Sequence, residues 1–254
     1  MKRLALAATA TLLLAGAAQA DQVRIGIAAE PYPPFASPDA AGNWVGWEIE
    51  IIDAICTAAE LDCVLTETAW DGIIPALISG RIDAIMASMS ITEERAQVVD
   101  FSEPYYNTPT IIVGQRDIEM DATPEGLAGM VLGVQVATIH QSYAQTYFEG
   151  ATELRTYQTQ DEVNQDLAAG RIDATQADSL ALEDFLATEA GQCCEIKGQV
   201  AMDEAILGRG AGAAVRQGDD DLREAINRGI ETIIADGTYD EITARYFETS
   251  ILGR

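Results

Sequence analysis

The chain has 254 residues, in which 15 lysines and arginines and a single histidine stand against 41 aspartates and glutamates, a formal charge of −26 at pH 7. So acidic a balance excludes nucleic acid as a partner, because its phosphates would be repelled. Anionic membrane surfaces are excluded on the same ground.

Residues 1–20 read as an export signal. Lys2 and Arg3 precede an apolar run over 4–16, and Ala18-Gln19-Ala20 is a small-x-small cleavage site. The run is too short for a membrane span, which needs about 20 residues. Cleavage is expected after Ala20. No cysteine follows that point to carry a lipid, and no later stretch is long and apolar enough to span. The expected product is soluble and periplasmic, with 234 residues starting at Asp21. Without Lys2 and Arg3 it keeps 13 basic and 41 acidic residues, a charge of −28. That length supports one large domain or two medium lobes.

Residues 23–28 form a short apolar run, read as a buried strand. The following Glu30-Pro31-Tyr32-Pro33-Pro34-Phe35 holds three prolines, which exclude a helix or a central strand. A turn at 39–42 leads to a helix over 47–59, with Ile49, Ile52, Ala54, Ile55 and Ala59 on its apolar face. A second strand is expected over 64–68. Trp70-Asp71-Gly72 opens a helix over 73–79 that Gly80 closes, and a third strand covers 82–86. This βαβαβ order predicts a parallel α/β sheet.

The pattern breaks over 101–109. After a strand at 111–113, a second βαβαβ unit follows: strand 131–136, helix 139–148, strand 154–157, helix 161–169 closed by Gly170, and strand 172–175. Residues 208–215 are rich in glycine and alanine. Asp219-Asp220-Asp221 opens a helix running to about 235, where the three acids favour the helix dipole rather than mark a calcium site. A turn at 236–239 precedes a final helix over 240–247.

The four cysteines fall in two close pairs, and an oxidising compartment permits disulfides. On one continuous helix Cys56 and Cys63 would lie about 10 Å apart, beyond the roughly 7 Å a disulfide spans. A Cys56–Cys63 bond therefore requires the helix to end near Glu60. Cys193 and Cys194 are adjacent, and a vicinal bond, free thiols or a cross-link between chains are all open to them. With no histidine nearby, neither pair suits zinc.

Gly-Arg-Ile-Asp-Ala stands at 80–84 and again at 170–174, each time at the helix-to-strand turn before the third strand of a unit. Arg81, Asp83, Arg171 and Asp173 read as scaffold. The repeat also sets the two units in register, and it places Ser88 and Asp178 at the same offset from its two copies. Open α/β sheets bind ligands beyond the C-terminal ends of their strands. The residues expected there are Glu30, Tyr32, Trp70, Ser88, Ser90 and Arg95 from the first unit. The second unit supplies Gln135, Thr138, Ile139, His140 and Asp178. An Arg grips a carboxylate with a planar fork, Asp178 suits an ammonium, and the rings of Tyr32 and Trp70 suit an aliphatic or cationic side chain. His140 reads either as a surface helix residue or as a rim contact.

Several stretches carry a resemblance: Tyr32-Pro33-Pro34-Phe35, Val45-Gly46-Trp47-Glu48-Ile49-Glu50, the Cys56/Cys63 pair and Asp71-Gly72-Ile73-Ile74-Pro75-Ala76-Leu77. To these add Ser88-Met89-Ser90-Ile91-Thr92 with Arg95, Asp100-Phe101-Ser102 with Tyr105-Tyr106, the repeated pentapeptide and Asp236-Gly237-Thr238-Tyr239. On them, residues 22–250 resemble the periplasmic polar amino-acid-binding proteins of ABC importers (solute-binding protein family 3), in the lysine/arginine/ornithine- and histidine-binding branch.

The resemblance implies an α/β, two-lobe periplasmic-binding-protein fold, each lobe a mostly parallel sheet flanked by helices, with two hinge strands between. Lobe one would be 22–107 plus 210–254 and lobe two 111–203, with hinges near 107–110 and 203–210. It makes Arg95 the carboxylate clamp, aided by Ser90 and the Thr138–Ile139 backbone. Asp178 and Ser88 would take the α-ammonium, and Tyr32 and Trp70 would sandwich the side chain. The family's acid for a distal ammonium corresponds to Glu30, displaced by one residue. Ala87 and Ile139 stand where the branch often carries hydroxyls, and Gln135 would suit an amide or an opine. The implied function is capture of a basic amino acid for a membrane permease, by a monomer without cofactor or metal. The alternatives are a binder of glutamine or another polar amino acid, or a periplasmic dehydratase-type enzyme on the same fold. No Ser-His-Asp, metal or phosphate-loop pattern supports an enzyme.

Overall fold

The structure, a computed structural model, describes residues 22–253, so the export signal read over 1–20 lies outside the described residues. Its first part comprises β1 (Val23–Ala28), β2 (Ser37–Pro38), β3 (Trp44–Val45), α1 (Trp47–Ala58), β4 (Cys63–Thr68), α2 (Ile73–Ile78), β5 (Ala84–Ile85), α3 (Glu93–Ala96) and β6 (Val99–Tyr106). The second comprises β7 (Thr110–Gln115), β8 (Val131–Gln135), α4 (Ile139–Tyr147), β9 (Glu153–Tyr157), α5 (Gln160–Ala168), β10 (Ala174–Asp178), α6 (Ser179–Ala187) and β11 (Cys194–Gln199). After α7 (Glu204–Leu207) the chain returns through β12 (Ala211–Arg216), α8 (Asp220–Ala235) and α9 (Thr238–Thr243).

Two five-stranded sheets result, ordered β4-β1-β5-β12-β6 and β11-β7-β10-β8-β9. In each, three neighbouring strands are parallel, as the βαβαβ reading anticipates. One strand in each runs against the other four: β12, fourth in the first order, and β7, second in the other. Two connections pass between the sheets, 107–109 and 200–210. The first carries neither helix nor strand, whereas the second carries the helical turn α7 instead of a plain strand.

The first sheet's core lies under α1 and α8. Trp47, Ile51, Ile52 and Ile55 meet Ile226, Ile230 and Ile233, with Tyr105 and Tyr239 beneath. The two helices touch closely at Gly229, where a Cβ would fall 2.6 Å from the Ile55 carbonyl oxygen. The C-terminal helices are locked by Trp47 Nε1 donating to Thr243 Oγ1 at 3.1 Å and Tyr239 Oη donating to the Tyr105 carbonyl at 2.8 Å.

Three expectations need correction. Residues 101–109, read as a break, hold most of β6. Pro104 removes one ladder donor, which is tolerated because β6 is an edge strand whose register shifts around Gly212 of β12. The third strands of the two units are shorter or later than their apolar runs, Ala84–Ile85 and Ala174–Asp178. The last helix starts at Thr238, because Gly237 at φ 88° turns the chain there, and it ends at Thr243 instead of 247.

The repeated pentapeptide has one job in both copies. Asp83 accepts from the Arg24 backbone N–H at 3.0 Å and Asp173 from that of Val131 at 2.7 Å, so each ties the first strand of its unit to the third. Asp83 also binds Arg24 Nε at 2.8 Å and Arg216 Nη2 at 3.2 Å. The Arg24 guanidinium leads in lowering the Asp83 carboxyl from 3.8 to about 2, against the cost of burial. A depressed acid stabilises the fold fully above its unfolded value and loses that contribution as pH falls toward the folded one. Asp83→Asn is therefore expected to cost ~2 kcal/mol near neutral pH. Its melting-temperature deficit against wild type should shrink between about pH 4 and pH 2. An undiminished deficit at pH 2, measured by circular dichroism, would rule out the charge as its source.

Both cysteine pairs are bonded. Cys56 and Cys63 lie 6.1 Å apart at Cα, and the helix ends as the bond requires: α1 stops at Ala58 and Glu60 turns at φ 55°. Cys193 and Cys194 form the vicinal bond, 3.8 Å apart at Cα.

Candidate functional site

One cavity, enclosing about 690 Å³ including its mouth, lies where the C-terminal ends of β1, β4, β5, β8 and β10 converge. It is lined by all twelve residues singled out as site candidates: Glu30, Tyr32, Trp70, Ala87, Ser88, Ser90, Arg95, Gln135, Thr138, Ile139, His140 and Asp178. Those from 30–95 hang from the first sheet and those from 135–178 from the second.

Arg95 is positioned by a cap. Thr92 Oγ1 accepts the Arg95 N–H at 3.2 Å and starts α3. The guanidinium donates to the Ser90 carbonyl at 3.0 Å and to the Ala137 carbonyl at 3.3 Å, and lies 5.5 Å from the centre of the Trp70 ring. Burial lowers its pKa to about 10, with Glu94 and Asp178 acting the other way, so it stays charged at neutral pH. Facing it, Thr138 caps α4 by accepting the Gln141 N–H at 3.1 Å. The first turn of α4 therefore presents backbone N–H groups that have no partner within the helix.

Asp178 ends β10. Its Oδ2 accepts from Tyr32 Oη at 2.7 Å, its Oδ1 accepts from Thr108 Oγ1 at 2.9 Å, and His140 Nε2 stands 3.5 Å from Oδ2. Burial raises its pKa, but His140, Tyr32 and Thr108 outweigh it and hold the carboxyl below the usual aspartate value. Tyr32 is pushed well above the ordinary tyrosine value by burial and by the Asp178 charge, so it remains a donor.

Ser88 sits in the left-handed region at φ 54°. Glu48 holds it there: one carboxylate oxygen accepts the Ser88 N–H at 2.7 Å and the other the Ser88 hydroxyl at 3.0 Å. The Ser88 oxygen keeps its lone pairs for an incoming cation. Glu48 is 2% exposed, and burial raises its carboxyl although Tyr105 and Ser88 donate to it.

The remaining candidates are tied to the protein. Glu30 Oε2 accepts the Trp70 N–H at 3.0 Å, at a 3-10 turn over Trp70–Gly72. Gln135 Nε2 donates to the Gln158 carbonyl at 3.1 Å. His140, for which a surface position was one reading, is 5% exposed, because the first turn of α4 points into the cavity. Its Nδ1 and the carboxamide of Gln176 are buried without a hydrogen-bond partner among the described residues.

Four contributors escaped the sequence reading. Ala137 acts through its carbonyl, which accepts Trp70 Nε1 at 3.2 Å as well as Arg95, and so joins the two halves. Thr108 comes from the connection at 107–109. Gln160 reaches the cavity from the start of α5. Glu48 had a visible signal: it is an acid on the buried stripe of α1, one turn before Ile52.

The arrangement offers a cation and helix N–H groups at one side, a carboxylate at the other and two rings beside them. That is the complement of a zwitterion with an extended side chain. Among the described residues no cluster of three or more His, Cys, Asp or Glu could hold a metal.

The profile of the bacterial extracellular solute-binding proteins, family 3, matches residues 23–249. The chain is similar to the L-arginine-binding protein of Pseudomonas aeruginosa, 39% identical over 258 residues, covering 100% of this chain and 99% of the relative. The histidine-binding periplasmic protein of Salmonella typhimurium is 34% identical, with 100% of both chains covered. The solved structure of an ancestral arginine-binding protein bound to arginine superposes with a TM-score of 0.82 at 32% identity, covering 89% of this chain and 98% of that one. This chain belongs to the bacterial extracellular solute-binding proteins, family 3.

Proposed function

We propose that this protein captures a basic amino acid between its lobes and delivers it to the permease of an ABC importer. The observation that carries the reading is the pairing of Arg95 and Asp178 across one cavity, each supplied by a different sheet and flanked by Tyr32 and Trp70. In this reading Arg95, Ser90 and the Thr138–Ile139 backbone take the α-carboxylate, and Asp178 and Ser88 the α-ammonium. The side chain runs between Tyr32 and Trp70 toward Glu30 and Gln135, with Ala87 and His140 completing the wall. A basic side chain is supported by Glu30 at that end and by relatives named for arginine and histidine. The lobes, 22–107 with 210–254 and 111–203, close about 107–110 and 203–210. Residues 1–20 direct export and are removed after Ala20.

A thermal-shift screen of the twenty amino acids plus ornithine and octopine tests this. At a hundred times its dissociation constant a ligand adds about 2.7 kcal/mol, or roughly 5–10 °C for a chain of this size. Arginine, lysine or ornithine should give the largest shift. A shift by acidic or apolar ligands alone would sink the basic-side-chain reading. Turnover of prephenate or arogenate would overturn binding without chemistry.

A further inference from the structure

The chain's single histidine stands beside the carboxylate that the proposed function assigns to the ligand's α-ammonium. His140 is the second residue of α4 and is 5% exposed. Its Nε2 lies 3.5 Å from Asp178 Oδ2, and its Nδ1 is buried without a partner among the described residues. Asp178 has two further neighbours, the Tyr32 and Thr108 hydroxyls, and both are neutral donors. Of the three groups on that carboxylate, only the imidazole belongs to a side-chain type that can carry a positive charge.

The surroundings of His140 leave Asp178 as its one close counter-charge. From β10 Asp178 lies within ion-pair distance of it, and Tyr32 and Glu30 from the loop after β1, Arg95 of α3 and Glu48 of α1 line the same cavity. Glu48 is already engaged by Ser88 and Tyr105, and Arg95 is itself a cation. On the inner side of α4, β8 and β9 present Leu132, Val134 and Leu154, and α7 presents Ile206 and Leu207. Glu204 of α7 is exposed, and Asp203 is taken by Tyr147 at the far end of α4.

We propose that His140 couples ligand capture to pH: neutral His140 leaves Asp178 to the ligand's α-ammonium, protonated His140 occupies that carboxylate instead, and one proton leaves His140 when the ligand binds. An imidazolium and an ammonium sharing one carboxylate repel each other at contact distance. Once the ligand neutralises Asp178, a protonated ring would keep a buried Nδ1–H with no acceptor and lose the charge that stabilised it. By linkage, affinity rises with pH wherever the free protein holds a proton that the complex does not. Burial raises the Asp178 carboxyl, and His140 leads Tyr32 and Thr108 in bringing it below the usual aspartate value, so the two groups act as one coupled pair.

The coupling rests on the proposed amino-acid site but acts on the head group alone. It is therefore expected alike for L-arginine, L-lysine and L-glutamine, whichever of them binds. The test is isothermal titration calorimetry of the exported protein with these three at about pH 5 and pH 8, in buffers of different ionisation enthalpy. The expected result is binding roughly tenfold weaker at the lower pH, with about one proton released there. In His140→Gln the affinity, whatever its absolute value, should no longer change between the two pH values, with no proton release. His140→Asn is the second variant should the first fail to fold, and the wild-type proton count stands without either. Wild-type affinity that is flat with pH, or a wild-type slope retained in His140→Gln, overturns the coupling and leaves the proposed function intact. PH-dependent capture of glutamine alone refutes the basic side chain and upholds the coupling. No binding of any amino acid at any pH overturns both.

Discussion

Arg95→Met is expected to weaken amino-acid binding by at least a factor of about 100. A methionine keeps much of the stem against Trp70 and removes only the charge and the donors. The Arg95 guanidinium is held before any ligand arrives, by the Ser90 and Ala137 carbonyls and over the Trp70 ring. Little ordering is then left for binding to oppose. Charge-assisted bonds are worth about 1.5–3 kcal/mol each, and a bidentate grip loses two. Leaving the ligand's carboxylate in the cavity without that cation adds a desolvation cost. Calorimetry on a variant whose circular dichroism matches wild type is the measurement. Unchanged affinity would remove Arg95 from the site.

Asp178→Asn is expected to have an effect of similar size, for a different reason. The substitution keeps the shape and leaves one amide oxygen to accept from Tyr32 or Thr108, while the other hydroxyl turns to accept from the new NH2. What disappears is the counter-charge for a buried ammonium, and an unpaired buried charge costs about 3–5 kcal/mol. Affinity should fall at least about a hundredfold, and the residual binding should lose its pH dependence, because His140 no longer has a carboxylate to compete for. An N-acetylated amino acid, which carries no α-ammonium, should bind the wild type poorly and be the ligand least affected by the substitution. Equal weakening of the N-acetylated and free forms would show that Asp178 acts on the fold and not on the head group.

The residues legible from sequence share one property: they follow apolar runs. Glu30 and Tyr32 come after β1, Trp70 after β4, Ser88 and Ser90 after β5, and Gln135 and Asp178 end β8 and β10. An α/β sheet gathers such positions at one edge, so naming the strands names the candidates. The pentapeptide repeat served as a ruler because each copy performs the same tie, Asp83 to Arg24 and Asp173 to Val131. Reading 101–109 as a break failed for a local reason. Pro104 looks like a terminator until the sheet order shows β6 at an edge, where a missing donor costs little.

What the sequence by itself determined is the architecture and the inventory of charges. Hydrophobic periodicity, helix-closing glycines and the order of elements are local signals, each readable within a dozen residues. They carry the parallel α/β units, the helix end near Glu60 that a Cys56–Cys63 bond requires, and the Arg and Asp that suit a zwitterion. Only the tertiary structure decided how those charges are set. Glu48 reaches Ser88 across 40 positions, Tyr32 reaches Asp178 across 146, and Ala137 joins Trp70 and Arg95 through a backbone oxygen that no side-chain pattern reveals. The burial of His140 against Asp178 belongs to the same class. Desolvation and partner charges depend on what folding brings within a few ångströms, and separation along the chain carries no information about that.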